Sequence, residues 1–427
     1  MPMFTTAIIL LFIFLVIGIP VSFSMILSGL GAALITGGMD FWLVARNLFS
    51  GLDSFPLMAC PFFILAGDLM TSGGISRKII SFTRSILGFI PGGTAVTTVG
   101  GSMIFAAISG SAAATTAAMG SITVPDMLEE GYKKGFCASL IACAGAIGPI
   151  IPPSINMIVY CSVTGDSISK MFMCGLVPGI MCGIGLMLYS IWYARHDRIP
   201  RVKWEGIKNY FLGILKSLKS SIWALFAPII IMGGIFSGIF TATEAGIVAC
   251  VYSIFCGVFI YRNLTLKKVI QCLGNTVVLC GMVMLIMSSA KIYAYIFTVE
   301  RVGEAISALL LGITNNPYII LLIVFGIMLI MGMFLEMLAV LIVMIPVIYP
   351  LFTSLGMNPY HFGVVLCIAS VYGSLTPPVG IQVFVSQGML GIKMKEMLRH
   401  LYPMVLIMVI VVVICIFMPN VVTIFLP

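Results

Sequence analysis

Long apolar segments run through most of this sequence and leave few polar residues between them. Of its 427 residues, 61% are hydrophobic and only 8% are charged, whereas soluble domains average about 25% charged residues. One membrane span takes about 20 apolar residues, so the chain has room for about a dozen spans joined by short loops. Segments such as 228–232 and 405–417 are continuously apolar and do not alternate as barrel strands do. The sequence therefore predicts an all-α polytopic membrane protein and excludes a soluble enzyme, a disordered chain and a nucleic-acid binder.

Basic residues are concentrated in a few loops, and their position indicates the topology. The formal net charge is +8, and one loop holds a large share of the 22 Lys and Arg residues. Its members are Arg195, Arg198, Arg201, Lys203, Lys208, Lys216 and Lys219. Short loops rich in Lys and Arg remain in the cytoplasm, so the charge indicates topology rather than nucleic-acid binding. The first apolar segment, 4–27, has no basic residue before it, and we interpret it as a retained span rather than a signal peptide.

An internal repeat is the most informative pattern in the chain. Segment 148–153 reads GPIIPP, and 225 residues later segment 373–378 reads GSLTPP. The same offset relates three further pairs, which are Pro125 and Pro350, Gly131 and Gly356, and Ser111 and Glu336. We therefore divide the chain into a first repeat, 1–200, a basic cytoplasmic linker or amphipathic segment, 201–220, and a second repeat, 221–427. Each half contains an odd number of full-length apolar segments, so we expect the second repeat to insert upside down relative to the first.

The two proline-containing segments predict helices that break inside the membrane. Proline removes a backbone N–H and clashes with the preceding turn, so the double prolines open each helix. Unwound backbone at that depth is tolerated where it lines a cavity, and its carbonyls can coordinate a cation. A simple proline kink is the structural alternative, but two matched breaks favour function. Inverted repeats with broken helices are typical of secondary transporters, whose sites lie at the breaks.

A second paired element precedes each break. Segment 108–116 reads ISGSAAATT between two apolar arms that are too short to span, which predicts a re-entrant helical hairpin. A small-residue packing face is the alternative. The matching segment 332–337 contains Glu336, the only acidic residue from Ala305 to Met394. An ionisable residue within a membrane span indicates the pathway of an ion or a substrate. Glu336 could bind Na⁺ as a hard oxygen donor, could hold a proton, or could only cap a helical arm.

These motifs resemble those of a known family. SGSAAATTAAMGSITVPDM at 109–127, GPIIPPS at 148–154 and YGSLTPPVG at 372–380 are similar to the large membrane subunit of tripartite ATP-independent periplasmic (TRAP) transporters, and the resemblance covers the whole chain. It implies an elevator-type importer in a bacterial inner membrane, driven by a Na⁺ gradient. The implied substrate is an organic acid anion such as sialic acid, another sugar acid or a C4-dicarboxylate. A stand-alone Na⁺- or H⁺-coupled anion symporter is the alternative.

The resemblance also implies partners and site residues. A periplasmic substrate-binding protein would deliver the anion, and a small four-span membrane subunit would be a separate chain. At least two Na⁺ ions are implied. The first Na⁺ site would involve Ser109, Ser111, Ile147, Gly148 and Ile151. The second would involve Gly332, Glu336, Gly373 and Thr376. Between the two tips, the substrate would meet Ser111, Thr115, Asn156, Ser374 and Gln382, which we select by polarity and position.

Enzyme motifs are missing from the sequence. The twelve Cys are single, without a C-x-x-C pair, and there is no H-E-x-x-H or G-x-S-x-G sequence. The three histidines, His196, His361 and His400, are far apart in the chain. Nothing here assembles a nucleophile with a general base. We therefore expect no enzymatic activity.

Overall fold

The computed structural model describes residues 2–200, 206–377 and 380–426, which form twenty α-helices. In chain order they are α1 (Met3–Val16), α2 (Val21–Thr36), α3 (Phe41–Ser50), α4 (Ala59–Ser72), α5 (Ile75–Leu87), α6 (Gly93–Ser109), α7 (Ala112–Glu129), α8 (Lys134–Ala146), α9 (Ile155–Thr164), α10 (Ile168–His196), α11 (Ile207–Phe236), α12 (Ala242–Phe255), α13 (Leu266–Val299), α14 (Val302–Ile313), α15 (Pro317–Gly332), α16 (Met337–Ser354), α17 (Pro359–Gly373), α18 (Ile381–Leu390), α19 (Met394–Phe417) and α20 (Pro419–Thr423). A 3₁₀ turn, Phe55–Met58, leads into α4, and a π-helical turn, Cys256–Ile260, follows α12.

Within the described part of the chain, seven helical segments are long and apolar enough to cross a membrane. They are Phe55–Ser72, Ile168–His196, Ile207–Phe236, Ala242–Ile260, Leu266–Val299, Met337–Ser354 and Met394–Phe417. The helices α14 and α15 would together form an eighth span, but they are bent by 118°. Seven further apolar helices are shorter, among them α6, α8, α9, α17 and α18. These helices confirm the prediction of an all-α polytopic membrane protein.

Helices in the two halves of the chain begin at corresponding positions. The helix α7 begins at Ala112 and α16 at Met337, which are 225 residues apart. The same spacing separates the starts of α8 and α17, and the starts of α9 and α18 are 226 residues apart. Pro125 lies inside α7 and Pro350 inside α16. The sequence repeat therefore corresponds to a repeated order of helices.

Both proline-containing segments separate two helices. The helix α8 ends at Ala146 and α9 begins at Ile155, so the GPIIPP sequence lies entirely between them. In the second half, α17 ends at Gly373 and α18 begins at Ile381. Pro378 of that segment lies outside the described residues. Each broken helix therefore consists of a long first part and a shorter second part, and the non-helical backbone of the break lies between the two parts.

The predicted linker is only partly described. Arg201 and Lys203 lie outside the described residues, and the remainder, 206–220, leads into α11 and forms its first half. The helix then continues to Phe236 without a break at 220. Residues 207–227 contain several Leu and Lys, which favour the helix, and no proline. The division into repeats at 200 and 221 stays a prediction.

The first parts of the broken helices lie at the centre of the protein. Every residue of α8 after Lys134 is buried, and so is every residue of α17 from His361 to Gly373. By contrast, α13 exposes apolar side chains such as Ile270 and Val277, which are 61% and 70% exposed. An apolar helix that is buried on all sides belongs to the core. The two breaks therefore follow helices that are almost fully buried, and α13 presents an apolar surface outwards.

An ion pair outside the spans ties the start of α8 to the end of α10. The ammonium of Lys133 lies 2.6 Å from a carboxylate oxygen of Asp197, and the hydroxyl of Tyr193 donates to the same oxygen at 2.7 Å. These two hydrogen bonds hold the pKa of Asp197 below its ordinary value. The contact fixes one end of the buried helix α8 against a long membrane span.

Candidate ion and substrate site

The turn between α6 and α7 lies directly against the first break. Gly110 joins the two helices with a positive φ of 59°. A Cβ at this position would lie 2.4 Å from the carbonyl oxygen of Pro153, so only glycine permits this approach. The next residue, Ser111, is the N-cap of α7, and its hydroxyl oxygen accepts a hydrogen bond from the Ala114 amide at 3.4 Å. The predicted hairpin tip and the predicted break are therefore in backbone contact.

Oxygen atoms converge where this tip meets Gly148. A Cβ on Gly148 would lie 2.8 Å from the Ser111 carbonyl oxygen and 2.9 Å from the Thr115 hydroxyl oxygen. The Thr115 hydroxyl donates to the Ser111 carbonyl at 2.8 Å and lies 2.9 Å from the hydroxyl of Ser109. Clustered oxygens of this kind suit a hard cation. Ile147 and Ile151 are buried beside them. The Ile147 carbonyl already accepts the amides of Ile150 and Ile151, each at 3.0 Å.

The second half also brings backbone into close contact with its break. A Cβ on Gly332, the last residue of α15, would lie 2.6 Å from the Cα of Gly373, the last residue of α17. Thr376 follows within the break, and its hydroxyl donates to the Tyr372 carbonyl at 2.9 Å. The two glycines thus bring the end of α15 onto the second break, as Gly110 brings the first tip onto the first break.

Glu336 occupies the position in α16 that Ser111 occupies in α7. Its Oε2 accepts hydrogen bonds from the amides of Leu338 and Ala339 at 2.9 and 3.3 Å, so the carboxylate caps the helix. A cap alone was the structural alternative for this residue. However, the cap involves only Oε2, and Glu336 also lines a cavity. Both caps therefore hold polar oxygens at helix N-termini, where backbone dipoles favour negative charge.

A cavity of about 390 Å³ lies between these elements, within the size range of small-molecule sites, about 300–1,000 Å³. Six residues selected from the sequence line it, which are Ser109, Ser111, Asn156, Glu336, Ser374 and Gln382. Thr115 lies behind Ser111, fully buried, and is not part of the lining. The structure thus brings together the polar residues of both halves, with the backbone contacts of Gly148 and Gly373 beside them.

The opposite wall of the cavity comes from helices that the sequence analysis did not select. The start of α2 contributes Ser22, α4 contributes Asp68, and α13 contributes apolar residues from Leu279 to Ile286. The Asp68 Oδ2 atom is buried and has no hydrogen-bond partner among the described residues. The sequence does contain a signal for Asp68, because it is a lone acidic residue within an otherwise apolar helix. Asp68 and Glu336 are the acidic side chains of the lining, and none of its described residues is Lys or Arg.

Comparison with known proteins identifies the family. Residues 8–421 match the family model described as the tripartite ATP-independent periplasmic transporter, DctM component. The chain belongs to this family of TRAP large permeases. The resemblance of the sequence motifs is thereby confirmed, and so is the expectation that the protein is not an enzyme, because the family is a transporter permease.

This TRAP large permease is similar over most of its length to three permeases of known bacteria. It is 38% identical over 410 residues to the isethionate TRAP transporter permease protein DctMQ of Oleidesulfovibrio alaskensis, covering 96% of this chain and 64% of that protein, which is less than two thirds of its length. It is 36% identical to the C4-dicarboxylate TRAP transporter large permease protein DctM of Pseudomonas aeruginosa, covering 88% of each. It is also 36% identical to the 2,3-diketo-L-gulonate TRAP transporter large permease protein YiaN of Escherichia coli, covering 95% of this chain and 94% of YiaN.

Proposed function

We propose that this TRAP large permease imports an organic acid anion across a bacterial inner membrane and couples the import to a Na⁺ gradient. The observation that carries the proposal is the paired contact of tip and break. Gly110 lies against Pro153 in one half, Gly332 lies against Gly373 in the other, and one cavity is lined by residues of both halves, including Gly110 and Ser374. Matched broken helices around a central site are the arrangement that secondary transporters use.

The proposed first Na⁺ site is at the contact between Ser111 and Gly148. Ser109, Ser111, Ile147, Gly148 and Ile151 would supply hydroxyl and carbonyl oxygens. The proximity of the Ser111 carbonyl to Gly148 supports this placement. Because the Ile147 carbonyl already accepts two amides, we expect the Ile151 carbonyl and the Ser111 oxygens to contribute more to the binding of the ion.

The proposed second Na⁺ site is at the contact between Gly332 and Gly373. Glu336 would supply a carboxylate oxygen, and the two glycines and Thr376 would supply carbonyls. The Thr376 hydroxyl is directed to the Tyr372 carbonyl, so its own carbonyl is the better candidate ligand. A carboxylate, backbone carbonyls and hydroxyls are the oxygen donors that hard cations prefer.

The substrate is proposed to bind in the cavity beside Ser111, Asn156, Ser374 and Gln382, with Thr115 supporting Ser111 from behind. Because the part of the chain that the structure describes contributes no basic side chain to the lining, the negative charge of an organic acid would be balanced by the bound Na⁺ ions and hydrogen-bond donors. An ion pair reduces the cost of burying either charge. A cavity of about 390 Å³ can admit a sialic acid or another sugar acid as well as a C4-dicarboxylate.

Transport by this permease is proposed to use an elevator movement and two partner proteins. The helices α6 and α7, with α15 and α16, would form re-entrant hairpins that move with the broken helices. The helices α11 and α13 would belong to a fixed scaffold, where their exposed apolar side chains can contact the lipid bilayer and a small four-span subunit. A periplasmic substrate-binding protein would deliver the anion.

Reconstitution in proteoliposomes tests this function. The permease, the small subunit and the binding protein should together accumulate a labelled organic acid only when Na⁺ is higher outside. Omitting the binding protein should abolish uptake. Uptake by the permease alone would instead support a stand-alone anion symporter, and uptake driven by a proton gradient without Na⁺ would contradict the coupling ion.

A further inference from the structure

Gln382 presents an unused hydrogen-bond donor at the cavity. Its side chain is fully buried in the first turn of α18 and lines the cavity. The Nε2 atom has no hydrogen-bond partner among the described residues. The backbone amide of Gln382 donates to the Ser374 carbonyl at 3.2 Å, which anchors the start of α18 to the second break. A buried donor without a partner is costly, so this amide is suited to receive an acceptor from a bound molecule.

Thr116 determines which end of the Gln382 amide faces the cavity. Its hydroxyl lies 3.2 Å from Gln382 Oε1 and 3.4 Å from the Ile141 carbonyl oxygen. One hydroxyl proton makes one strong hydrogen bond, and the shorter contact is to Gln382. When Thr116 donates to Oε1, the NH₂ group of the amide is left unpaired in a residue that lines the cavity.

The packing around Thr116 leaves room for this hydroxyl. Thr116 is fully buried in α7, and a Cβ on Gly145 of α8 would lie 1.9 Å from its oxygen. Glycine at position 145 is therefore required for the hydroxyl to occupy its place. The hydrogen bond joins α7 of the first half to α18 of the second half, next to the substrate cavity.

The charge of the cavity shows why a neutral donor matters here. Asp68 and Glu336 are both acidic, and the lining within residues 2–200, 206–377 and 380–426 includes no basic side chain. An amide N–H binds a carboxylate or a sulfonate oxygen without carrying a charge of its own. A site built around such a donor rejects molecules that lack the acceptor, because the buried polar group is then left unpaired.

We propose that Thr116 is a positioning residue for the substrate, because its hydroxyl holds Gln382 so that Nε2 donates to an oxygen of the acid group. This inference rests on the proposed import of an organic acid anion. It adds a residue that does not touch the substrate but determines how the acid group is recognised, through a hydrogen bond between the two repeats.

Equilibrium binding to the purified permease with its small subunit tests this inference. Labelled isethionate, succinate and N-acetylneuraminate are the probes, measured by scintillation proximity in saturating Na⁺. Thr116→Val removes the hydroxyl and keeps the shape of the side chain. It should weaken binding of the recognised probe about tenfold, as expected for one hydrogen bond to a charged group. Thr116→Ser should restore the affinity to within about twofold, because it restores the donor.

Three further variants separate positioning from a general structural effect. Thr123→Val lies in the same helix and removes a buried hydroxyl that donates only to the Met119 carbonyl of its own helix, so it should bind like wild type. Gln382→Leu should weaken binding at least as much as Thr116→Val, and the double variant should be no weaker than Gln382→Leu alone. The half-saturating Na⁺ concentration should stay unchanged in Thr116→Val.

Three results would overturn the inference. They are wild-type affinity in Thr116→Val, an equal loss in Thr123→Val, or fully additive losses in the double variant. Failure of the wild-type permease to bind any of the three acids would instead reject the proposed function, and the inference with it.

Discussion

The contact between Gly332 and Gly373 can be tested by adding a single methyl group. In Gly332→Ala the new Cβ would lie 2.6 Å from the Gly373 Cα and 3.1 Å from its carbonyl carbon. Carbon atoms in ordinary contact are about 3.5–4.0 Å apart, so the two backbones would have to separate by roughly 1 Å. Both sides of the contact are backbone, and no flexible side chain can yield.

This separation has an expected cost. Overpacking of this kind costs about 1–3 kcal/mol. A free energy of about 1.4 kcal/mol is a factor of ten in an equilibrium constant. The half-saturating Na⁺ concentration should therefore rise about tenfold if the strain falls on the second ion site. Gly332 ends α15 in ordinary helical geometry, so alanine itself is tolerated there and the loss would come from the contact.

Gly326→Ala is the matched control, because this glycine lies in the same helix and has no atom within 4 Å of an added Cβ. Both variants would be purified with the small subunit, and their thermal unfolding would be followed across a Na⁺ titration. Gly326→Ala should match or slightly exceed the stability of wild type, since alanine favours the helix by up to about 1 kcal/mol. If Gly332→Ala showed the same Tm and Na⁺ dependence as Gly326→Ala, the assignment of an ion site to this contact would be refuted.

Three further perturbations address the caps and the ion pair. Glu336→Gln keeps an oxygen for the cap of α16 but removes the negative charge of the side chain. Na⁺-driven uptake should then need about tenfold more Na⁺, while assembly with the small subunit is unchanged. A wild-type Na⁺ dependence would exclude Glu336 from the ion site. Ser111→Ala should cost about 1 kcal/mol of stability and raise the half-saturating Na⁺ concentration, and an unchanged value would reject Ser111 as a ligand. Lys133→Met should lower stability by less than about 1 kcal/mol at neutral pH, because the pair is exposed. The lowered pKa of Asp197 means that the pair stabilises above the ordinary pKa of Asp and that this contribution is lost in acid. The two proteins should therefore converge in a pH series of unfolding, and a constant difference down to about pH 3 would contradict this account.

Much of the site could be predicted from the sequence because its main elements recur at one offset. Gly148 and Gly373 stood out by their double prolines, and Ser111 and Glu336 by their polarity within apolar segments. These are local signals, since a proline or a lone acid disturbs an apolar helix whatever its neighbours are. The structure then shows that Ser111 lies against Gly148 in the first half, that Gly332 lies against Gly373 in the second, and that Ser111 and Glu336 line one cavity.

The remaining cavity wall could not be predicted, because it depends on which helices pack together. Asp68 lies in α4, far from the repeat motifs in sequence, and lines the cavity where α4 packs against the end of α6 at Ser109. Thr116 looks in the sequence like one more small helical residue, and its partner Gln382 is 266 residues away. Thr115 shows the converse, because it is polar and close to the tip but its hydroxyl is directed to Ser111. Periodicity alone does not tell which side of a helix faces the substrate.

The corresponding caps Ser111 and Glu336 make the two halves unequal in charge although their backbones are alike. On the proposed function, the ion beside Glu336 has a carboxylate among its own ligands, whereas the ligands proposed beside Ser111 are uncharged hydroxyl and carbonyl oxygens. We therefore expect an order of occupation, in which the second half fills at lower Na⁺ and the first half fills last, close in time to the arrival of the anion. Such an order would let the permease distinguish a loaded state from a partly loaded one before it moves.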